Sequence, residues 1–138
     1  MTNQDLKMGR GARHISLPQI GEQGQKFIAD ATILIVGMGG LGCASASYLN
    51  SSGIKKMFLC DFDSIDATNL GRQILFGPSD IGKQKVLVAK QQLENINPAI
   101  DIQTINKKIN RQELTALDLE KKTIILDCSD NFNTRFEI

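Results

Sequence analysis

Tryptophan is absent from this 138-residue sequence, and it holds one tyrosine, one histidine, three prolines and three cysteines. A single histidine, His14, cannot build a metal centre by itself, and no CxxC or HxxxC cluster is present to help it. The cysteines, Cys43, Cys60 and Cys128, are odd in number, far apart and set among apolar or small residues, unlike a secreted disulfide framework; a reduced, cytoplasmic setting is expected. Neither sign of charge dominates. Sixteen basic residues face fifteen acidic ones for a formal net charge of +1, so no long-range field attracts nucleic acid or an anionic membrane, and neither is expected as a partner. Gln4, Asp5, Lys7 and Arg10 precede any apolar run, which is no secretory leader. Residues 31–54 carry no charge but are broken by glycine, serine and asparagine, a composition that excludes a convincing membrane span. The length suits one domain with a real core.

What the sequence does have is a run of four aliphatic residues from Ile33 to Val36 leading into four glycines within six positions, Gly37, Gly39, Gly40 and Gly42. This predicts a buried parallel strand that turns sharply into a helix. Such a turn is an anion site: freed backbone N–H groups point outward, the helix dipole adds positive potential, and glycine lets a phosphate approach without meeting a Cβ.

Along the chain, residues 1–12 are polar and glycine-containing and are expected to be a mobile arm; the domain proper is expected over 13–138. An extended or turning segment from Arg13 leads to a brief helix over 23–30 with Phe27 and Ile28 inward. The first strand covers 32–36, a helix of small residues 41–52 stops at Gly53, and a second strand covers 56–61. Residues 64–79 have no sustained period and form a long loop, the kind that carries function. An amphipathic helix over 81–95 places Val86, Ala89, Leu93 and Ile96 near one face. A third strand covers 100–105; Asn110 with Glu113 opens a helix through Leu114 and Leu117; a fully apolar fourth strand covers 123–127; and Asp130-Asn131 caps a helix with Phe132, Arg135 and Phe136. Alternating strands and helices predict an α/β, Rossmann-like, doubly wound and mainly parallel sheet, cut short after its fourth strand, with ligands at the carboxyl ends of the strands.

Gly37 to Gly42 satisfies GxGxxG, and Asp61 lies 61 − 42 = 19 residues past the last glycine, where a ribose-binding acid sits. Read alone, this pattern describes an NAD-binding oxidoreductase as well as any adenine-nucleotide enzyme. Arg72, Lys85 and Asp130 favour a triphosphate, which needs side-chain cations and a metal-binding carboxylate: a planar fork, a compact point charge and a hard oxygen ligand. Each has a bland alternative, a surface ion-pair partner for Arg72, a solvated helix residue for Lys85, a helix cap for Asp130; the run Asn69 to Gln73 with Lys85 is what tips the balance. Asp63 reads as structural or secondary, the three cysteines as small core residues, and the pairs at 55–56, 107–108 and 121–122 as solvated lysines.

The segments Arg13-His14 with Gly21-Glu22-Gln23-Gly24-Gln25, Val36 to Gly42, Asp61-Phe62-Asp63, Asn69-Leu70-Gly71-Arg72-Gln73, Asp80-Ile81-Gly82-Lys83-Gln84-Lys85, Asn97-Pro98 and Asp127-Cys128-Ser129-Asp130-Asn131 resemble the ThiF/MoeB/HesA family, in register from Arg13 to the last residue. Those proteins are adenylyltransferases for ubiquitin-like sulfur-carrier proteins and are similar to the adenylation domain of ubiquitin-activating enzymes. The resemblance implies that Gly40 lies against the nucleotide phosphates, Asp61 bonds the ribose, Asn69, Arg72 and Lys85 hold the phosphates, and Asp130 coordinates Mg²⁺ with Asn131 beside it. It implies a homodimer in which Arg13 reaches the neighbouring subunit's triphosphate. It also implies that the carrier's C-terminal glycine carboxylate attacks the α-phosphate of ATP and releases pyrophosphate. Zinc is expected only in a C-terminal half of the kind family members carry beyond this portion. Without that half, a nucleotide-binding or dimerisation remnant with no catalysis is the alternative from another functional class. Thiamine-type and molybdopterin-type carriers are not distinguished.

Overall fold

The computed structural model of the protein describes residues 3–117, 119 and 122–138, with side chains from residue 9 onward. Its elements run α1 (Asn3–Ile15), α2 (Gly21–Ala29), β1 (Thr32–Val36), α3 (Gly40–Ser52), β2 (Lys56–Cys60), α4 (Lys85–Ile96), β3 (Asp101–Ile105), α5 (Arg111–Ala116), β4 (Ile124–Asp127) and α6 (Phe132–Glu137). Two 3-10 turns, Ala67–Asn69 and Pro78–Asp80, lie in the long loop between β2 and α4. The four strands form one parallel sheet in the order β3-β2-β1-β4, with Ile33 opposite Met57 on one side and Ile124 on the other. This is the α/β, Rossmann-like arrangement that the alternating pattern predicts.

β1 is buried along its whole length because it is flanked by strands on both edges and covered on both faces. Successive residues point to opposite faces of a strand, so Ile33 and Ile35 join Met57, Leu59 and Ile102 under α3 and α4, where Ala46, Val86, Ala89 and Leu93 pack. Leu34 and Val36 join Phe58, Cys60 and Ile105 on the other face, with Leu114 and Leu117 against them. Two core layers from one strand are what make the sheet doubly wound. At the amino edge, Asn50 Nδ2 donates to the carbonyl of Leu93 at 2.9 Å and Asn97 Nδ2 donates to the carbonyl of Asn50 at 3.2 Å. Each of these carbonyls also accepts a cap backbone N–H, from Asn97 to Leu93 and from Gly53 to Asn50, so the two side-chain amides are second donors that tie the ends of α3 and α4 together.

Several local expectations are corrected. The stretch expected as a mobile arm is helical from residue 3, and α1 runs on to Ile15 through the segment expected to be extended. Its glycines had suggested freedom, but Gly11 marks close approach: a Cβ there would lie 2.8 Å from the Gln25 side chain on α2. His14 Nδ1 donates to Gln25 Oε1 at 2.8 Å, Gln25 Nε2 donates to the carbonyl of Ser52 at 3.3 Å, and Arg10 donates to the carbonyl of Ile96. Phe27, expected inward, is exposed, and only Ile28 of that pair packs on the core. α4 begins at Lys85 and not at 81, because Gly82 takes φ +85° and Ile65 exchanges hydrogen bonds with Gly82 and Lys83, each 2.8 Å, turning 81–84 into a loop. Val86, Ala89 and Leu93 face the core, while Ile96 at the helix end is largely exposed. β4 is apolar in sequence but lies at the sheet edge with Ile124 and Ile125 exposed. Asn131 and not Asp130 caps α6, its Oδ1 accepting from the Thr134 N–H at 2.9 Å, and Phe132 and Phe136 point outward.

Candidate functional site

The four glycines divide into two pairs with different work. Gly37 takes φ +95°, and a Cβ on it would lie 2.8 Å from the carbonyl oxygen of Cys128; a Cβ on Gly42 would lie 1.9 Å from the carbonyl oxygen of Gly37. These two let the backbones of β1, α3 and the end of β4 close on one another. Gly42 is buried and does not line the cleft, so its expected place among phosphate-contacting residues is corrected to a packing role. Gly39 and Gly40 open onto the cleft with room in front of them: the nearest atoms to a Cβ would be Gln73 Nε2 at 4.0 Å and Arg72 Cγ at 3.5 Å. Gly39 is the extended residue that starts α3, so the first N–H groups of a thirteen-residue helix face that space.

Asp61 follows the last residue of β2 and is tied to the glycine turn. Its Oδ2 accepts from the Met38 N–H at 2.6 Å and its Oδ1 from the Asp63 N–H at 2.8 Å. Two backbone donors fix the carboxylate while each oxygen keeps a lone pair for a further donor. Lys85, the first residue of α4, is 5% exposed, and its Nζ donates to Asp63 Oδ2 at 2.8 Å.

The loop after β2 presents the next residues. Asp66 starts a 3-10 turn by accepting from both Thr68 Oγ1 and the Thr68 N–H, which hold its carboxyl below the usual carboxylate range. Asn69 Oδ1 accepts from the Asp66 N–H at 3.0 Å, completing a reciprocal cap, and leaves the Asn69 side chain buried at the cleft wall. Arg72 is exposed, its Nη1 donating to the Thr68 carbonyl at 3.0 Å while its stem lies beside Gly40. Gln73 is buried beside them, and its Oε1 has no partner among the described residues.

Together these groups line one cleft of about 420 Å³ at the carboxyl ends of the strands. Gly37, Gly39, Gly40, Asp61, Asn69, Arg72, Lys85, Asp130 and Asn131, all expected from the sequence, share its wall. Arg13 does not: it is exposed on α1, whose contacts with Ser52 (through Gln25) and Ile96 lie at the opposite, amino edge of the sheet. The cleft also gathers residues that sequence reasoning had set aside. Asp63 is the partner of Lys85. Lys107 and Lys108, read as ordinary solvated lysines, line the wall past β3, where Lys107 also pairs with Glu113. Arg135 reaches in from α6, held by Asp127 Oδ2 at 3.4 Å and the Ser129 carbonyl at 3.2 Å. Lys107, Lys108 and Arg135 belong to no motif read from the sequence; the sheet order brings them to the edge that holds Asp63.

Asp130 is an exposed carboxylate on the cleft wall. Among the described residues no group of three or more His, Cys, Asp or Glu could hold a metal by itself. That donor set fits Mg²⁺, which binds through one or two carboxylates, waters and the phosphates of a nucleotide, and does not fit a closed protein cage.

With this geometry in view, the chain can be set beside known proteins. Residues 12–138 match the model of the ThiF family. The chain is 37% identical over 134 residues to the molybdopterin-synthase adenylyltransferase of Salmonella typhimurium and 40% identical over 134 residues to that of Escherichia coli K12; each match covers 97% of this chain and 53% of the relative. The chain thus spans about half the length of these curated relatives. Among solved structures, the E. coli tRNA N6-threonylcarbamoyladenosine dehydratase TcdA in complex with ATP superposes with a TM-score of 0.83 at 25% identity, covering 98% of this chain and 55% of that one.

Proposed function

The chain belongs to the ThiF family, and on that footing we propose that it binds ATP with Mg²⁺ and serves the adenylation of the C-terminal glycine of a ubiquitin-like sulfur-carrier protein. The observation that carries the reading is the convergence, in one cleft, of a glycine turn at a helix start, an anchored acid, two cations and an exposed carboxylate. A dinucleotide's pyrophosphate asks mainly for backbone amides, whereas Arg72 and Lys85 beside Gly39 and Gly40 suit the larger charge of a triphosphate. Relatives named as molybdopterin-synthase adenylyltransferases favour a carrier of the molybdopterin type over the thiamine type.

In this reading Asp61 receives the ribose hydroxyls, Gly39 and Gly40 face the phosphates, and Asn69, Arg72 and Lys85 hold them. Asp130, with Asn131 beside it, holds Mg²⁺, which neutralises charge on the phosphate oxygens. One oxygen of the carrier's terminal carboxylate forms a bond to the α-phosphorus as the bond from that phosphorus to the bridging oxygen of pyrophosphate breaks. No proton need be removed, since the carboxylate is already ionised at neutral pH, so alignment and charge neutralisation supply the catalysis. Arg13 lies too far from its own cleft to take part there and acts, in this reading, on the cleft of a second copy in a homodimer.

Thermal unfolding with Mg²⁺-ATP, with NAD⁺ and with neither tests the assignment. A ligand that binds only the folded state stabilises it by RT ln(1 + [L]/Kd), about 2.7 kcal/mol at a hundredfold excess over Kd. A rise in Tm with ATP alone is the expected result, followed by exchange of labelled pyrophosphate into ATP that depends on the carrier. A rise with NAD⁺ alone would replace this reading by an oxidoreductase. ATP binding without exchange would leave a nucleotide-binding module.

A further inference from the structure

Lys85 occupies a position that disfavours a cation twice over. It is 5% exposed, and it is the first residue of α4, where the helix dipole presents its positive end. A lysine so placed would ordinarily turn outward to water, leaving the cleft wall without its ammonium. The ion-pair partner of Lys85 is Asp63, which holds it at both ends. The Asp63 carbonyl accepts from the Lys85 backbone N–H at 3.1 Å, and its carboxylate accepts from Nζ at 2.8 Å.

Asp63 is itself anchored. Its N–H donates to Asp61 Oδ1 at 2.8 Å, and Asp61 Oδ2 accepts from the Met38 N–H at 2.6 Å. The glycine turn, the acid beside it and the start of α4 are therefore one hydrogen-bonded path through Met38, Asp61, Asp63 and Lys85. A second tie runs alongside: Ser64 pairs with Gln84 in an isolated antiparallel bridge, and Gln84 Nε2 donates to Ser64 Oγ at 3.3 Å. The backbone is thus clamped on the residue following Asp63 and on the residue preceding Lys85, so the distance between the two side chains is set by the fold and not by chance rotamers.

We infer that Asp63 is a positioning residue, whose carboxylate keeps the ammonium of Lys85 aimed into the cleft at the place where a nucleotide's phosphates meet the glycine turn. The inference rests on the ATP reading above. It assigns to the second acid of Asp61-Phe62-Asp63 a role separate from that of the first: Asp61 faces the ligand, whereas Asp63 acts through the lysine. Half of the Asp63 side chain is exposed, so its own desolvation is modest and the pair need not collapse when either member is changed.

The test compares the unaltered chain with Asp63→Asn, Asp63→Glu, Lys85→Ala and the double variant Asp63→Asn/Lys85→Ala. For each, the Kd for Mg²⁺-ATP is measured by calorimetry, adenosine binding is followed by NMR as a phosphate-free control, and Tm reports the fold. Lys85→Ala is expected to weaken Mg²⁺-ATP by about tenfold or more, as for loss of a hydrogen bond to a charged group, and to leave adenosine unchanged. Asp63→Asn is expected to reproduce both results. The double variant is expected to be no weaker than Lys85→Ala alone, because groups acting in series are not additive. Asp63→Glu, which keeps the charge, is expected to fall between the unaltered chain and Asp63→Asn; it carries the comparison if the asparagine variant does not fold. Full ATP affinity in Asp63→Asn beside a weakened Lys85→Ala, equal losses for ATP and adenosine, or additive losses in the double variant would each overturn the inference. If the unaltered chain binds no ATP, the nucleotide reading itself falls and takes the inference with it.

Discussion

Asp61 and Arg72 show how differently two residues of one cleft are held. Both oxygens of Asp61 are bonded to backbone N–H groups, so its position is part of the fold. Among the described residues Arg72 is held by one side-chain bond, to the Thr68 carbonyl, and it remains exposed, so it can move to a ligand at little cost. Arg72→Ala is accordingly expected to leave stability within about 0.5 kcal/mol, as for an ordinary surface change. In a chain that catalyses pyrophosphate exchange, the same variant is expected to lower the exchange rate by about 10²-fold or more, the cost of removing one preorganised charge from a phosphoryl-type transition state. Unchanged exchange in Arg72→Ala, measured beside an unchanged Tm, would remove Arg72 from the site. At this scale the sequence was legible wherever a residue belongs to a local motif, as Asp61 does at a fixed distance from the glycines. It was not legible for Lys107, Lys108 or Arg135, which lie in no such motif, and the pairing of Asp63 with Lys85 was hidden because the two are 22 residues apart in the chain.

The junction of β1 and α3 was the most legible element, because an aliphatic run and its glycines are neighbours in the chain and each dictates the other's geometry. The ends at Val36 and Gly53 follow from residue type alone: Gly53 adopts φ +88° as the left-handed stop of α3. The beginning of α4 was missed because the apolar period carries back to Ile81, whereas Gly82 at φ +85° and the bonds of Gly82 and Lys83 to Ile65 hold 81–84 in a loop. β4 was read as fully apolar and is so over Ile124 to Leu126, yet Ile124 and Ile125 are exposed: apolar composition states what a strand tolerates, and sheet order decides what it receives. Within the junction, Gly42→Ala would drive a Cβ to 1.9 Å from the carbonyl oxygen of Gly37, a backbone atom that cannot step aside. It is expected to cost about 3 kcal/mol or more, in the range of severe overpacking, read as a lowered urea midpoint. Gly39→Ala, with open space before it, is expected to unfold close to the unaltered chain while weakening ligand binding; equal midpoints for the two variants would contradict the division of the glycines into packing and cleft pairs.

For the molecule as a whole, the doubly wound class followed from alternation alone, and what alternation could not give was α1, which packs on α2 and α3 ahead of the first strand. The same two core layers enclose the thiols. Burial pushes Cys43 up to about 11 and Cys60 up to about 12, and raises Cys128 as well. A thiol whose pKa is raised on folding stabilises the fold fully below its unfolded value near 9, and that contribution is lost as pH rises from there toward 11 to 12. Urea midpoints are therefore expected to be level through pH 8 and to fall above pH 9. At pH 8 the native chain is expected to leave Cys43 and Cys60 unreactive toward an aromatic disulfide reagent until urea is added; rapid labelling of all three thiols in the native state would contradict the packing described.

The sheet order has a further consequence, which concerns how the cleft comes into being. Ile33 pairs with Met57, 57 − 33 = 24 residues on, and with Ile124, 124 − 33 = 91 residues on. Closing the longer loop costs about 1.2 kcal/mol more chain entropy than closing the shorter, by (3/2)RT ln(91/24). A chain that has joined β1, β2 and β3 already carries the glycine turn, Asp61 and Lys85 on one wall. The other wall, with Asp130 and Asn131, arrives only with the most remote pairing in the described sheet, so a completed cleft is a record that the chain has closed from β1 to β4.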